Sequence, residues 1–439
     1  MNQVGYLRAL NQEMQGWSRN IKLFFLANIL YQIGTGMFGV LYNLYIQGLG
    51  YDDAMNGRVV SIQSFATALM FVPIGIWGDR TSRKKILVLG ALLSGVAFIL
   101  RSFSSGDTAL LGFAVFTGLF ASFFQVISIP FLAENVTPAN RLKMFSYFSS
   151  LGLASQVIGS LGGGVFADVL KSLGFENLLS LRTVLVIGGA ATLAAFIPML
   201  FVRERKASSL KPKTDDQAPL EPEASLPAHI TSADAADFRI IARFVAAQLL
   251  IGLGSGLVVP YLNLYFTNRF SVSLSLMSLL ISLGQVMTIF SMLIGPSLAS
   301  RVGQVKAVVL FQMLSLPFLL LTGFTNGFAI AAVSFLFRQA LMNAANPIQS
   351  AIMIDRVADK RRGIANSLTQ TAFMLGWATM GPVQSYLVTA YGTYWGYAIT
   401  FSMTGCLYTA ASLLYYFMFR GNTKKPGEKK SIEKRRLQM

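Results

Sequence analysis

The feature that most constrains this chain is a series of long apolar runs that have no polar face. The stretch "ILVLGALLSGVAFIL", residues 86–100, contains no charged residue. A helix of about 20 such residues crosses the hydrocarbon core of a bilayer. The sequence contains twelve runs of this kind, so we predict an all-α membrane protein with twelve transmembrane helices in a lipid bilayer. The predicted spans, numbered in chain order, are 21–48, 56–78, 85–103, 108–133, 143–167, 182–202, 240–266, 273–299, 306–324, 327–353, 363–388 and 393–419.

The composition argues against a soluble protein and against several kinds of site. Only 13% of the 439 residues are charged, whereas a soluble domain carries about 25%. Residues 1–20 are polar and lack a cleavable signal, so the first span is expected to act as an uncleaved targeting signal. The single Cys406 and the single His229 exclude an internal disulfide and a buried histidine relay. No metal-ligand or nucleotide-binding motif is found, and we predict neither a metal nor a cofactor.

The net charge of +17 is explained by membrane topology rather than by a nucleic-acid partner. In a twelve-helix chain with both termini on one side, most Lys and Arg residues fall on that side, in the tails, the central linker and the loops. Cytoplasmic loops attract Lys and Arg, so both termini are predicted to be cytoplasmic. We predict a multi-pass protein of the bacterial inner (cell) membrane, acting as a monomer.

A polar segment divides the chain into two sets of six spans. Residues 203–239 are charged, contain proline and lack large apolar clusters, so they cannot bury enough surface to fold alone. We predict a cytoplasmic linker there. The predicted organisation is a cytoplasmic N-tail (1–20), an N-terminal half (21–202), the linker (203–239), a C-terminal half (240–419) and a basic cytoplasmic C-tail (420–439).

The two halves repeat each other at a nearly fixed offset. "GTGMFGVLYNLY", residues 34–45, recurs as "GSGLVVPYLNLY", residues 254–265. "AENVTPANR", residues 133–141, likewise faces "IDRVADKRR", residues 354–362. Six helices return the chain to the side where it began, so the halves form a parallel repeat. Such repeats hold a substrate near the midplane between the halves, and rocking of one half against the other gives alternating access.

The loop after span 2 carries a recognisable motif. "GIWGDRTSRKK", residues 75–85, resembles the signature loop between helices 2 and 3 of the major facilitator superfamily. Gly75, Asp79, Arg80 and Arg83 occupy its characteristic positions, and the copy in the second half has Ser300 in place of the Asp. The resemblance covers the whole layout of six plus six helices, long linker and tails. It implies a secondary transporter of small-molecule substrates that is not an enzyme.

The resemblance also implies a role for the motif loop as a cytoplasmic gate. Asp79 is expected to face the N-terminus of span 11, near residue 363, and Arg83 is expected to pair with Glu134 at the end of span 4. Asp355 is the repeat counterpart of Glu134. These contacts would hold the cytoplasmic side shut, and Gly75 would let helices approach closely. The alternative is a basic turn that only obeys the topology rule.

Polar residues inside the spans are the candidates for substrate binding, because their burial without partners is costly. Arg338 is the one charge that we place near the midplane, within span 10. At 100° per residue, Gln349 lies about 20° and Asn346 about 80° from Arg338 around the helix, so all three could line one side of a cavity. The further candidates are Gln32, Gln63, Gln125, Gln156, Gln248 and Gln285. The alternative for Arg338 is a structural charge, and for each glutamine it is packing between helices.

The Asp and Glu residues do not identify the ion that would drive transport. No Asp or Glu lies near the centre of a span, although proton-coupled transporters commonly use a buried carboxyl with a raised pKa. Asp168 and Glu134 are the remaining candidates, and coupling to a proton or to sodium stays open. The repeated Asn43 and Asn263 are predicted to form a symmetric outer gate. The alternative is a pair of solvated amides within an interfacial aromatic belt.

The aromatic residues, 12% of the chain, and the 18 methionines favour a broad and adaptable cavity. We therefore predict export of amphipathic organic compounds. "GSLGGGV", residues 159–165, also resembles the glycine-rich stretch of drug-proton antiporters, but it lacks their Gly-Pro pair. The alternatives are transport of an anionic metabolite bound by Arg338, and a transporter-like sensor or lipid-handling protein without solute flux.

Overall fold

A computed structural model describes residues 17–137, 141–203, 232–357 and 362–419 and confirms the predicted all-α fold. Within these ranges every regular element is a helix. The helices, labelled in chain order, are α1 (Arg19–Gly48), α2 (Asp53–Arg80), α3 (Arg83–Phe103), α4 (Asp107–Asn135), α5 (Arg141–Ser172), α6 (Asn177–Ala194, continued by Phe196–Leu200), α7 (Ser232–Val258, continued by the 3₁₀ turn Val259–Tyr261 and by Leu262–Phe270), α8 (Leu274–Val302), α9 (Gln304–Phe324), α10 (Phe328–Arg356), and α11 and α12, the two arms of Arg362–Phe419.

The 58-residue segment Arg362–Phe419 contains two spans rather than one. A straight helix of that length would extend about 87 Å, far beyond a hydrocarbon core of about 30 Å. The chain turns at Gly392, whose φ of 74° lies in the left-handed region that favours glycine. A Cβ atom at Gly396 would lie 2.5 Å from Val388 Cα, so the two arms run side by side. α11 therefore ends before Gly392 and α12 begins after it.

All of these segments are suited to a membrane. Among the described residues, 11 helical segments are long and apolar enough to cross a bilayer, and the last of them, Ala365–Phe419, holds both α11 and α12. The predicted boundaries lie within five residues of the observed helix ends except at the start of α7. That helix begins at Ser232 rather than at residue 240, and the three alanines in "SADAAD" explain the extension because alanine is the strongest helix former.

Twelve spans place the first residue of α1 and the last residue of α12 on one side of the bundle, which we call the tail side. The other side is the opposite side. Within the N-terminal half, α1 packs on α5 and α6, and α3 packs on α4 and α6. Within the C-terminal half, α7 packs on α11 and α12, and α9 packs on α10. The halves meet where α2 contacts the α11–α12 pair and α5 contacts α8.

The duplicated glycines perform the same task in both halves. A Cβ at Gly34 would lie 2.0 Å from an α6 atom, and one at Gly254 would lie 2.8 Å from an α12 atom. Gly36 lies in the same way against α5, and Gly256 against α11. α5 and α6 are the repeat counterparts of α11 and α12, so the glycines permit equivalent close helix crossings.

The duplicated tyrosines also have equivalent partners. Tyr45 donates its hydroxyl hydrogen bond to the Ser102 carbonyl oxygen at 2.7 Å, and Tyr265 donates to the Thr322 carbonyl oxygen. Both rings are fully buried. These bonds fix the opposite-side end of α3 to α1 and that of α9 to α7, so the two halves have equivalent internal contacts here.

Three hydrophobic clusters form the core. The first lies on the opposite side and combines residues of both halves, such as Ile46 and Phe266. The other two lie on the tail side, and each belongs to one half, one around Phe24 and the other around Phe244. The described residues of the two halves therefore share one core on the opposite side and have separate cores on the tail side.

Candidate functional site

A cavity of about 780 Å³ lies between the two halves. Its lining combines aromatic rings with side-chain amides and includes residues of α1 to α5 and of α7, α8, α10 and α11. The aromatic residues are Tyr31, Phe38, Tyr42, Phe98, Phe124, Phe148, Phe335 and Trp377. The amides are Gln32, Asn43, Gln63, Gln125, Gln156, Asn263, Gln285, Gln339 and Gln370. Such a surface can accept an apolar body and hydrogen-bond its polar groups.

Five of the predicted binding residues line this central cavity, and the others lie elsewhere. The five are Gln32, Gln63, Gln125, Gln156 and Gln285. Gln248, Asn346 and Gln349 line a second cavity of about 310 Å³, formed by helices of the C-terminal half alone. Gln370 lines both cavities. The second cavity is thus adjacent to the central one.

Arg338 does not line either cavity. Its side chain is 4% exposed, and it donates to Gln339 Oε1 at 2.9 Å and to the Tyr408 hydroxyl at 3.1 Å. Arg338 and Gln349 lie on the same face of α10, as predicted. Eleven residues separate them, however, which is about 16 Å along the helix axis. They therefore reach different surroundings. Arg338 lies behind the cavity lining, which its neighbour Gln339 forms instead.

Arg101 is the residue that our sequence reasoning missed. In α3 its side chain is 3% exposed and lines the central cavity. Nη1 donates to Gln63 Oε1 at 2.7 Å, and the guanidinium carbon lies 3.7 Å from the centroid of the Tyr42 ring. The available signal was its position inside the predicted span 85–103, since a charge within a membrane span is a candidate functional residue.

Asn43 and Asn263 meet at the opposite-side end of the cavity. Asn43 Nδ2 donates to the Pro260 carbonyl oxygen at 2.7 Å, and Asn263 Nδ2 donates to the Val40 carbonyl oxygen at 2.8 Å. The two side chains also approach each other, with 3.4 Å between Asn43 Nδ2 and Asn263 Oδ1. Both are buried, so neither amide lies on the outer surface of the bundle. Their contact joins α1 of one half to α7 of the other.

A second contact joins the halves on the opposite side. The backbone N–H of Ser275, in the first turn of α8, donates to Asp168 Oδ2 of α5 at 2.7 Å. A carboxylate at the N-terminus of a helix is stabilised by the free N–H groups and by the helix dipole. Asp168, one of the two predicted candidates for proton coupling, therefore has a structural contact at the end of a helix.

The tail-side motif is partly visible. The predicted ion pair is present, with 2.8 Å between Arg83 Nη1 and Glu134 Oε1, and Nη1 also donates to the Pro130 carbonyl oxygen at 2.9 Å. The pair links α3 to α4, so it lies within one half. The side chains of Asp79, Arg80 and Asp355 lie outside the described residues.

The close helix approach that we predicted at Gly75 is wrong in this structure. A Cβ there would meet no atom within 4 Å. Gly78, one turn later, supplies the close contact instead, because a Cβ there would lie 2.3 Å from Ile127 Cδ1 of α4.

Twelve membrane-long helices in two repeated halves around a cavity define the chain as a membrane carrier. The sequence model of the Major Facilitator Superfamily matches residues 24–246 and 244–438 of this chain. The chain therefore belongs to this family. Its members are non-enzymatic carriers, and this chain is a multi-pass transporter of small solutes.

Similar proteins include two uncharacterised proteins and a multidrug resistance protein. An uncharacterised transporter of this superfamily from Methanocaldococcus jannaschii is 24% identical over 34% of this chain and 39% of its own length. An uncharacterised membrane protein of Saccharomyces cerevisiae is 21% identical over 92% of this chain and 95% of its own. The multidrug resistance protein MdtG of Yersinia enterocolitica is 24% identical over 57% and 56% of the two chains.

The fold is also similar to that of solved transporters. An inward-facing, occupied bacterial homologue of the human lysosomal transporter Spinster superposes with a TM-score of 0.73 at 16% identity, over 93% of this chain and 98% of that one.

Proposed function

We propose that this chain exports amphipathic organic compounds across a bacterial cell membrane by alternating access. The observation that carries the proposal is the central cavity of about 780 Å³, which both halves line with aromatic rings and side-chain amides. The rings suit the apolar part of such a compound and the amides suit its polar part. The similarity to a multidrug resistance protein agrees with this substrate class.

The proposed cycle starts from the arrangement described above. The tail side is taken as cytoplasmic because Lys and Arg are concentrated in the tails and loops of that side. Since the described halves share a core only on the opposite side, substrate enters from the cytoplasm. Rocking of the halves then separates Asn43 from Asn263 and opens the cavity outward. In the same step the motif loop, with Asp79 and Arg80, closes the cytoplasmic side.

The amides that line the two cavities are proposed to form the substrate path. Gln248, Asn346 and Gln349 lie on the second cavity, which adjoins the central one through Gln370. The five glutamines of the central cavity would then hold the compound before release. The alternative of an anionic metabolite bound by Arg338 has less support, because that side chain is turned toward Tyr408.

Flux measurements test the proposal. Purified protein is reconstituted as a monomer in proteoliposomes, and the movement of neutral, anionic and cationic fluorescent amphiphiles is followed with and without proton and sodium gradients. We expect flux of at least one of these compounds that exceeds the flux in protein-free vesicles. Folded protein that binds such compounds and moves none would overturn the proposal and favour the sensor or lipid-handling alternative.

A further inference from the structure

Arg101 gives the closed end of the central cavity a positive charge. It is the only charged residue among the described residues that line this cavity. The carboxyl groups of the described chain lie elsewhere, so no Asp or Glu of the lining balances it. Charged groups inside membrane proteins generally pair with each other or mark the path of a ligand. The lining thus offers a cation without an anion.

Among the described residues, the Arg101 guanidinium hydrogen-bonds the Gln63 side chain, and its Nε has no partner. A guanidinium has five N–H donors, and one of them binds Gln63 Oε1 at 2.7 Å. Nε is buried and has no partner in the described structure. The amide oxygen of Gln63 and the ring of Tyr42 are neutral, so they orient the guanidinium without neutralising it. A buried cation in this state gains free energy from an incoming anion.

Other arginines of the bundle show why this one differs. Arg338 uses two N–H groups on Gln339 and Tyr408 and lies behind the cavity lining. Arg182 is half-buried, donates to the Tyr45 hydroxyl at 3.4 Å and lies outside the cavity. Both have a tyrosine partner, as Arg101 has, but neither faces space that a ligand could fill.

We propose that Arg101 binds the acidic group of an amphipathic organic anion, such as an aryl carboxylate or sulfonate. This inference rests on the proposed function and specifies its substrate class. Arginine suits the proposal because its planar N–H groups match the two oxygens of a carboxylate. Phe38 and Phe98, stacked with 4.2 Å between ring centroids, line the same cavity and receive the apolar part of the anion.

A binding experiment with a charged and a neutral probe tests the inference. Pyrenebutanoate and its neutral amide have nearly the same size and differ in charge. Their binding to full-length protein in lipid nanodiscs is measured by energy transfer from tryptophan, since Trp377 lines the cavity. The variants are Arg101→Gln, Arg101→Lys and, as a matched loss of charge outside the cavity, Arg182→Gln.

We expect the wild-type protein to bind the carboxylate at least about ten-fold more tightly than the amide. Arg101→Gln should remove this preference, Arg101→Lys should retain part of it and Arg182→Gln should keep it. Gln63→Glu places a carboxylate against Arg101 and should also remove the preference, although the site keeps its shape. Inorganic phosphate at millimolar concentration should not displace pyrenebutanoate, because it lacks the apolar part.

The inference is overturned if the wild type binds both probes equally, or neither, or if Arg101→Gln keeps the preference while its melting profile matches the wild type. Displacement of pyrenebutanoate by inorganic phosphate would also overturn the inference, because it would indicate a site for small free anions. The proposed function fails separately, by the absence of flux for every amphiphile. Flux of neutral amphiphiles without any preference for anions would leave the proposed function standing and remove the inference.

Discussion

The opposite side and the tail side of this transporter differ in how the halves meet. On the opposite side one hydrophobic cluster spans both halves, and buried asparagines exchange hydrogen bonds with backbone carbonyls of the other half. On the tail side each half has its own cluster. The ion pair between Arg83 and Glu134 lies at that side, but it links two helices of the same half.

The difference shows which contacts can report the conformational change. A shared core and bonds between halves must break when the opposite side opens, so their strength sets the free energy of the state with that side closed. A contact within one half moves as part of a rigid body and need not break. Substitutions on the opposite side should therefore shift the balance of states, whereas loss of the described tail-side pair should shift it little.

The largest effect is expected for Gly164→Val, at the crossing of α5 and α8. A Cβ there would lie 2.0 Å from Ser278 Oγ and 2.7 Å from the Leu274 carbonyl oxygen. Overpacking of this kind costs about 1–3 kcal/mol, which corresponds to about a 5- to 150-fold change in the balance of states. The clash lies between halves, so it opposes closure of the opposite side. Labelling of Val60→Cys by an impermeant maleimide from that side should accelerate accordingly, on a Cys406→Ala background.

Gly162→Val is the matched control, because a Cβ at that position meets no atom within 4 Å. Its labelling rate should stay near that of the parent. Equal acceleration in both variants would show that the added volume, rather than the contact between halves, changes the conformation.

A smaller effect is expected for Asp168→Asn. The substitution keeps an oxygen that can accept from the Ser275 N–H but removes the charge at the N-terminus of α8. Such a charge contributes about 0.3–1 kcal/mol, so opposite-side labelling of Val60→Cys should rise about two- to five-fold. Glu176→Gln is the control, since Glu176 precedes α6 and its side chain makes no capping hydrogen bond. A rise of the same size in the control would assign the effect to net charge instead.

The smallest effect is expected for Glu134→Gln. The Glu134 side chain is 56% exposed, and exposed ion pairs contribute at most about 1 kcal/mol because water and salt screen them. The pair also stays within one half. We expect the initial transport rate to fall less than about two-fold. A ten-fold loss with unchanged expression would restore the view of this pair as a cytoplasmic latch.

The architecture could be predicted from the sequence because it depends on periodic features. Apolar runs of membrane length gave the spans, and the recurrence of Gly34 and Tyr45 as Gly254 and Tyr265 gave the parallel repeat. Those residues act through backbone geometry, as close crossings and as bonds to carbonyls, so their position in a repeat is sufficient to identify them. The two predicted runs 363–388 and 393–419 likewise correspond to α11 and α12, which the turn at Gly392 separates.

The chemistry of the cavity was harder to predict because it depends on where side chains point. Arg338 had the expected depth but is turned toward Tyr408 of α12, a neighbour that helical periodicity cannot identify. Arg101 lies near the end of its span, yet the ring of Tyr42 covers it and Gln63 orients it. Gly75 occupies a motif position, whereas the close helix contact lies at Gly78. In all three cases the packing between helices determines what the residue contacts.

Crosslinking of the two asparagine positions tests the central claim most directly. Asn43→Cys and Asn263→Cys are combined on a Cys406→Ala background, and a short reversible crosslinker is applied to the full chain in proteoliposomes. We expect efficient crosslinking, loss of transport while the link is present and recovery of transport after reduction. The crosslinker should not change the transport rate of either single variant. Undiminished transport through crosslinked protein, or no crosslink under any condition, would contradict the account that these residues separate whenever the opposite side opens.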